Sequence, residues 1–227
     1  MTEHIQSHTQ QMSTAVQQAI EAFRAGNPIL IHDFEDREGE TDLVYPADVV
    51  NPSDVTRLRN VAGGLICVAL ANDVAEEFGL PYAHEVLDHP ATANDDLAYD
   101  DRSSFSVTVN HRDTYTGITD KDRARTISAL GEAAKNPAEF DFAGEFRIPG
   151  HVHILRAAPD LLVDRRGHTE LGIALAEETN RAPAVVVTEM LDDETGEALP
   201  PARAREFADA HGYPFVEGRD LVAALGA

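Results

Sequence analysis

The stretch Gly63-Gly64-Leu65-Ile66-Cys67-Val68-Ala69-Leu70 decides the fold class, because it ends in six consecutive apolar residues. A short apolar run behind two glycines predicts a central strand that is buried on both faces. Residues 53–62, immediately upstream, predict a helix that Ser53 can cap. The sequence therefore places a helix directly before a central strand of a sheet.

Strand and helix patterns alternate outward from this stretch without a repeat or a low-complexity linker. They predict strands at residues 29–31, 41–45, 105–109, 152–155 and 184–188, and helices at residues 13–25, 120–134, 169–180, 202–211 and 220–225. The economical architecture is a single α+β domain over residues 13–227, a three-layer α/β/α sandwich around a mixed β-sheet. We expect residues 1–12 to be a flexible extension and the aspartate-rich residues 95–102 to be a surface loop.

The composition excludes several classes of protein. The 227 residues include 18 basic and 40 acidic side chains, a net charge of −22, so the chain repels nucleic-acid backbones and we expect no DNA or RNA partner. No segment approaches the roughly 18 apolar residues of a membrane span, and residues 1–12 lack the features of a signal peptide. Cys67 is the single cysteine, so no intrachain disulfide forms. We expect a cytoplasmic protein with no membrane partner.

The charge balance also indicates a habitat. Only Lys121 and Lys135 are lysines among the 18 basic residues, tryptophan is absent, and aromatic residues make up 6 % of the chain. Such an acidic surface suits concentrated salt, where the Debye length falls to about 3 Å at 1 M and self-repulsion is weak. The composition therefore predicts a halophilic protein.

One candidate site is the acidic segment Asp33-Phe34-Glu35-Asp36-Arg37-Glu38-Gly39-Glu40-Thr41-Asp42, which follows a predicted strand. In an extended chain Glu38, Glu40 and Asp42 would share one side and suit a hard cation such as Mg²⁺. Arg37 would then point away from Glu38, unless Gly39 bends the chain or Arg37 lines another wall of the site. A solvated acidic loop is the alternative, but strand ends beside loops are where ligand-binding groups gather.

A second candidate is Asp164-Arg165-Arg166-Gly167-His168-Thr169-Glu170, directly before a predicted helix. Thr169 can cap that helix, whose unpaired N–H groups and positive dipole end attract anions. With Arg165 alongside and Gly167 allowing close approach, the segment predicts a phosphate pocket. His168 would be available there as a metal ligand, although a surface or capping histidine is the simpler interpretation.

A third group is less specific. His151 precedes a predicted strand and Glu189 ends another, so the pair could supply an acid and a base at one sheet edge. Both could also be ordinary residues, and Cys67 an inert core residue. The P-loop, GxGxxG, HExxH and GxSxG motifs are absent from the sequence, which disfavours nucleotide hydrolysis, NAD chemistry and serine hydrolysis.

Five ordered segments resemble the 3,4-dihydroxy-2-butanone-4-phosphate synthase family in its stand-alone archaeal form. They are Asp36-Arg37-Glu38-Gly39-Glu40-Thr41-Asp42, Gly63-Gly64-Leu65-Ile66-Cys67, Thr116-Gly117-Ile118-Thr119-Asp120, Pro149-Gly150-His151-Val152 and Gly167-His168-Thr169-Glu170. The resemblance implies a carbon–carbon lyase of riboflavin biosynthesis that converts D-ribulose 5-phosphate to L-3,4-dihydroxy-2-butanone 4-phosphate and formate. It implies Mg²⁺, with Mn²⁺ as an alternative, no organic cofactor, and a homodimer with shared active sites.

The same resemblance implies a role for individual residues. Glu38 and His168 match the metal ligands. The positions that line the substrate or its phosphate are matched by Arg37, Asp42, Thr116, Arg165, Gly167, Thr169 and Glu189. Further active-site positions are matched by Asp33, Glu40, His151 and Cys67. The candidates for proton transfer are Asp33, Glu40, His151 and Glu189. Arg166 stands where bacterial members carry a small residue, so phosphate affinity could differ here.

Two other functions fit parts of the sequence. A non-catalytic sugar-phosphate or nucleotide-binding module would keep Arg165 and Thr169 but would have no use for Glu38, Glu40 and Asp42. A purely structural acidic oligomer would explain the charge but not the five segments. The presence of all three carboxylates favours catalysis.

Overall fold

The computed structural model describes residues 12–92, 97–99 and 102–226. The expected extension over residues 1–12 therefore lies, apart from Met12, outside the described residues. The four aspartates of the expected acidic loop also lie outside them, namely Asp95, Asp96, Asp100 and Asp101. Over the ranges that are described, no helix combines the length and the apolar character needed to cross a membrane.

The strands of the described chain form one mixed sheet in the order β4-β5-β3-β6-β2-β1-β7. Their bounds are β1 (Ile29–His32), β2 (Thr41–Pro46), β3 (Cys67–Leu70), β4 (Phe105–His111), β5 (Phe146–Arg156), β6 (Ala184–Glu189) and β7 (Phe215–Glu217). The helices are α1 (Thr14–Arg24), α2 (Pro52–Arg57), α3 (Asn72–Glu77), α4 (Ala83–Val86), α5 (Asp120–Ala133), α6 (Phe142–Glu145), α7 (His168–Glu178), α8 (Pro201–His211) and α9 (Gly218–Leu225).

Helices cover both faces of this sheet. Every residue of β2 and β3 is buried, which a strand achieves only between two layers. In one layer Gly172 of α7 packs against Val44 and Val185, with α1 and α9 beside α7. In the other layer α5 packs on α2 and contacts β4, β5 and β6. The predicted α+β sandwich around a mixed sheet is confirmed.

The register of the central strands gathers polar residues at one end of the sheet. Asp42 of β2 lies opposite Glu189 of β6 in an antiparallel pair. Cys67, the first residue of β3, lies opposite Val187 of the same strand β6. These strand ends therefore lie together at one end of the sheet, where residues 33–42 meet residues 164–170.

Several predicted elements differ in their bounds, and two differ in form. The helix predicted over residues 53–62 begins at Pro52 and is capped by Asn51 rather than Ser53, because the Asn51 side chain accepts the hydrogen bond from the Ser53 N–H. Beyond Arg57 it continues as a π-helical turn, Leu58–Ala62. The strand predicted over residues 152–155 is the second half of the longer strand β5.

Candidate active site

The acidic segment after β1 folds as a turn, so the expectation of an extended chain through Glu38 is wrong. Asp33 is buried, and its carboxylate accepts hydrogen bonds from the N–H groups of Glu38, at 3.3 Å, and Glu40, at 3.0 Å. Gly39 has a φ of 65°, a left-handed conformation that glycine adopts without strain. Glu38, Glu40 and Asp42 nevertheless line the same pocket.

The turn brings Arg37 towards its acidic neighbours. Its Nη1 lies 3.2 Å from Glu38 Oε1 and 3.3 Å from Asp33 Oδ2. Of the two arrangements left open by the sequence, the bend at Gly39 is therefore the one that the structure has. Arg37 is largely buried and screens the negative charges that the turn concentrates.

His168 meets this turn from the first position of α7. It is 5 % exposed, its Nδ1 lies 3.2 Å from Glu38 Oε2, and its Nε2 lies 3.7 Å from Asp42 Oδ1. Burial alone would lower the pKa of His168, but the carboxylates of Asp42 and Glu38 outweigh it and raise that pKa to about 10. Burial raises the pKa of Asp42, against the opposing charge of His168. The structure thus joins two segments 130 residues apart.

The donor atoms of this cluster fit a divalent cation. One ligand atom from each of Asp33, Glu38 and His168 lies within 4.8 Å of the other two. Asp42 Oδ1 and His168 Nε2 are buried without a hydrogen-bond partner among the described residues. Buried polar atoms need a partner, and carboxylate oxygens with one imidazole suit Mg²⁺ or Mn²⁺. The residues present therefore fit the implied metal.

A cationic group lies beside the carboxylate cluster in the same pocket. Arg165 donates a hydrogen bond of 2.7 Å from Nη1 to Oε2 of Glu170, whose side chain is fully buried. The other oxygen of Glu170 accepts from the N–H of Ala158 at 3.0 Å. A Cβ at position 167 would collide with the Arg165 guanidinium, which explains the glycine there. Glu170 therefore fixes the orientation of the Arg165 guanidinium.

The start of α7 differs from the predicted one. Gly167 is the N-cap residue and no side chain caps the helix, so the prediction that Thr169 caps it is wrong. The helix begins one residue earlier than expected, which places Thr169 in its first turn. There the Thr169 side chain lies among the pocket residues.

The strand ends complete the floor of the pocket. Glu189 Oε2 accepts a hydrogen bond of 2.9 Å from the N–H of Leu65. Burial raises the pKa of Glu40, and the charges of Glu38 and Glu189 add to that effect. Burial also raises the pKa of the Cys67 thiol, which keeps it protonated. A raised carboxyl pKa is the property that proton transfer near neutral pH requires.

The cavity between these groups has a volume of about 170 Å³. The predicted site residues that line it are Glu38, Glu40, Asp42, Cys67, Arg165, His168, Thr169 and Glu189. It is also lined by residues that the sequence analysis did not single out, namely Tyr99, Ser103, Ser104, Phe105, Leu155 and Val187. None of these belongs to a motif, and only the strand patterns at Phe105, Leu155 and Val187 gave a signal.

Five predicted site residues are not among those that line this cavity. Asp33 and Arg37 contact Glu38, and Gly167 lies against Arg165. The other two are Thr116 and His151. Both lie at the β4–β5 edge, where Thr116 donates from its N–H to Asp122 Oδ2 at 3.1 Å and His151 contacts Asn110. The neighbouring apolar side chains are strongly exposed: Tyr115 is 98 % exposed, Ile118 51 % and Ile148 54 %. These two residues therefore lie at an exposed, partly apolar edge of the sheet.

The pocket combines carboxylates and an imidazole that fit a divalent cation with a guanidinium that fits an anion. This combination is typical of metal-dependent enzymes that act on small anionic substrates. The family model described as 3,4-dihydroxy-2-butanone 4-phosphate synthase matches residues 17–224. The chain belongs to this family, which confirms the resemblance seen in the five segments.

Individual relatives agree with this assignment. A 3,4-dihydroxy-2-butanone 4-phosphate synthase of Archaeoglobus fulgidus is 50 % identical over 218 residues, which cover 91 % of this chain and 92 % of the relative. One of Pasteurella multocida is 32 % identical over 206 residues, covering 90 % and 88 %. A crystal structure of such a synthase in complex with two magnesium ions superposes with a TM-score of 0.80 at 28 % identity, covering 93 % and 96 %.

Proposed function

We propose that this protein converts D-ribulose 5-phosphate to L-3,4-dihydroxy-2-butanone 4-phosphate and formate, as a lyase of riboflavin biosynthesis. The observation that carries the proposal is the 3.2 Å contact between Glu38 and His168 inside a pocket that also holds Glu40, Asp42 and Arg165. A binding module would gain nothing from burying this many carboxylates, since each costs desolvation energy. An enzyme that must hold a cation and move protons needs them.

We assign metal binding to Glu38 and His168, with Asp33 close enough to contribute a further oxygen. A bound Mg²⁺ would polarise the ketone and an adjacent hydroxyl of the substrate. Mn²⁺ is a second candidate, because the imidazole of His168 is a ligand that Mn²⁺ accepts. The magnesium-bound relative supports the choice of metal.

We assign substrate contacts to Arg165, Thr169, Gly167, Arg37 and Asp42. Arg165 lies beside the start of α7, where unpaired N–H groups and the helix dipole also favour an anion, so this side of the pocket suits the phosphate. Asp42 and Glu189 lie at the sheet end, where hydroxyl groups of the sugar would find acceptors. The substrate would therefore extend from the arginine towards the carboxylate cluster.

The reaction needs several proton transfers, for which we propose Asp33, Glu40, Glu189 and His151. A base removes the proton at C3, and a donor protonates the departing C1 hydroxyl. After the carbon skeleton shifts, hydration at C4 precedes formate release, so the water lost is regained and the atoms balance. Glu40 is suited to these transfers because its pKa is raised by burial. The thiol of Cys67 would act as a neutral wall of the pocket.

We also propose a homodimer in which Thr116 and His151 act in the pocket of the partner subunit. The support is their position at an exposed edge, next to Tyr115, Ile118 and Ile148, rather than in this subunit's own cavity. Exposed apolar side chains of this size are typical of protein interfaces. A pairing through this edge would bury them and bring His151 to a second pocket.

A subunit-mixing experiment tests the shared site. Glu38→Gln and His151→Gln proteins, each inactive alone, are unfolded together and refolded as a mixture. Hybrid dimers contain one intact site, so about a quarter of the wild-type activity should return. The same mixture of Glu38→Gln with wild type serves as a control for the efficiency of refolding. If the two inactive variants recover no activity together, His151 acts within its own subunit or not at all.

We propose that the protein works in the cytoplasm of a cell with a concentrated salt interior, without a nucleic-acid or membrane partner. The support is the charge of −22 and the single, buried cysteine. Both are properties of the sequence, and they bear on the setting of the enzyme rather than on its chemistry.

Formate release from ribulose 5-phosphate in the presence of Mg²⁺ tests the proposed reaction directly. Glu38→Gln should abolish formate release, because the amide replaces the charged oxygen that faces His168. Glu35→Gln is a matched control, since Glu35 belongs to the same turn but its side chain is 86 % exposed. Calorimetric binding of ribulose 5-phosphate by wild type without formate at any salt concentration would instead support the binding-module alternative.

A further inference from the structure

Four residues leave the ladder between β4 and β5. Val109 pairs with Val152, but the next residue of β4, Asn110, pairs with Arg147, so residues 148–151 form a bulge at this edge. Two side chains of β4 fasten the bulge. Thr108 Oγ1 accepts from the N–H of Gly150 at 3.1 Å, and Asn110 Oδ1 accepts from the N–H of His151 at 2.8 Å.

The second of these bonds fixes which way the Asn110 amide points. A backbone N–H can only donate, so the Asn110 atom facing it must be the carbonyl oxygen. The amide nitrogen is then the atom that lies 3.1 Å from Nδ1 of His151. An amide NH₂ group can only donate, so Nδ1 must accept and cannot carry a proton. In a neutral ring the proton is therefore on Nε2.

The loop of Gly117 also packs closely against this amide. Gly117 has a φ of 93°, and a Cβ at this position would collide with the Asn110 side chain. The N–H of Gly117 donates to Asp122 Oδ2 at 2.9 Å, which anchors the loop that carries Thr116. Asn110 is thus clamped between the loop of Thr116 and the ring of His151.

We propose that Asn110 is a positioning residue that holds His151 as the Nε2–H tautomer. His151 then presents a proton donor at Nε2 and cannot act as a base through Nδ1. The importance of Asn110 for turnover rests on the proposed catalytic use of His151, whereas the tautomer of the His151 ring can be measured without substrate. The tautomer assignment and the proposed reaction can therefore fail separately.

Asn110→Asp tests this with almost no change of shape. The aspartate can still accept from the N–H of His151, but its second oxygen can only accept, so Nδ1 should become protonated. The ¹⁵N shifts of the His151 ring in protein labelled at histidine, recorded near pH 8.5 where an ordinary imidazole is neutral, report which nitrogen carries hydrogen. A His151→Gln spectrum assigns the signal. We expect Nε2–H in wild type, Nδ1–H in Asn110→Asp, and a fall in kcat of about 10- to 100-fold with a smaller change in KM.

Thr108→Val is the matched control, because it removes the other bond to the same bulge without touching the ring. It should keep the Nε2–H signal and keep kcat within about twofold of wild type. Thermal melting of each variant separates misfolding from a tautomer change. A wild-type ring protonated at Nδ1, or an Asn110→Asp ring that keeps its proton on Nε2 alone, overturns the inference even if formate is released. If both tautomers are as expected but the wild type releases no formate, the proposed reaction is wrong and the tautomer assignment is still correct.

Discussion

Arg165 and Glu170 show how one buried residue can set the orientation of a binding group. One oxygen of Glu170 accepts from the N–H of Ala158 and the other from Arg165, so Glu170 links the guanidinium to the segment that follows β5. A buried ion pair contributes little net stability, because desolvation of both charges offsets their attraction. Its value here is positional, since a fixed guanidinium binds an anion without first losing its conformational freedom.

Glu170→Gln should therefore raise KM for ribulose 5-phosphate more than it lowers kcat. The glutamine keeps an acceptor for Ala158 but loses the charge that fixes Arg165, a hydrogen bond to a charged group worth about 1.5–3 kcal/mol. We expect KM to rise about 10- to 100-fold, at about 1.4 kcal/mol per factor of ten. Steady-state formate assays measure both constants. Glu178→Gln, an exposed change on the same helix, is the control, and an unchanged KM in Glu170→Gln would contradict this role.

Among the elements, α2 and α5 are joined by one carboxylate. Asp120, the first residue of α5, accepts a hydrogen bond of 2.6 Å from the hydroxyl of Thr56 and one of 2.9 Å from Nε of Arg59. Hydrogen bonds from Arg59 and then Thr56 lower the pKa of Asp120 to about 2. The link holds the layer of helices over the β4, β5 and β6 side of the sheet. It also fixes the start of the helix that follows the Thr116 loop.

Asp120→Asn should lower the free energy of unfolding by about 1 kcal/mol, or about 2–4 °C in Tm. The folded pKa lies below the unfolded one, so the contribution is complete above the unfolded value near 3.9 and is lost as pH falls through about 2. Denaturant unfolding of both proteins between neutral pH and about pH 2 measures the difference, which should shrink towards the acid end, where about half of the folded carboxylate is protonated. Asp209→Asn, an exposed change on α8, is the control. A difference that does not shrink at low pH would mean that charge is not the cause.

The elements also show what the sequence can and cannot predict. Uniform apolar runs such as β3 and β6 identify themselves, because only a buried strand tolerates them. The bulge at residues 148–151 has no such signal, since it depends on hydrogen bonds to side chains of β4 that lie 41 and 42 residues away in the sequence. The family resemblance identified Glu38 and His168 because it does not depend on local periodicity. Local periodicity alone predicted the wrong conformation around Glu38 and the wrong cap for α7. Contacts between distant residues set those details.

At the scale of the whole molecule, charge is the dominant property. Some acidic residues each contact two basic side chains: Asp48 Oδ2 lies 3.2 Å from both Lys135 Nζ and Arg181 Nη1. With 40 acidic and 18 basic side chains, 22 acidic groups are in excess and repel one another. The repulsion acts on the compact state more strongly than on the unfolded chain, where the charges are farther apart. Stability should therefore depend on how well the solvent screens charge.

Melting experiments in KCl test that dependence. From about 0.05 to 2 M KCl the Debye length falls severalfold, and we expect Tm to rise by roughly 5–10 °C, at 2–4 °C per kcal/mol for a chain of this size. NaCl at equal ionic strength should act alike, because screening depends on charge and concentration. Sucrose at matched osmolality is the control for exclusion from the protein surface, which raises Tm without screening. If Tm falls as KCl rises, or if sucrose reproduces the whole increase, repulsion among the excess carboxylates is not what limits the fold.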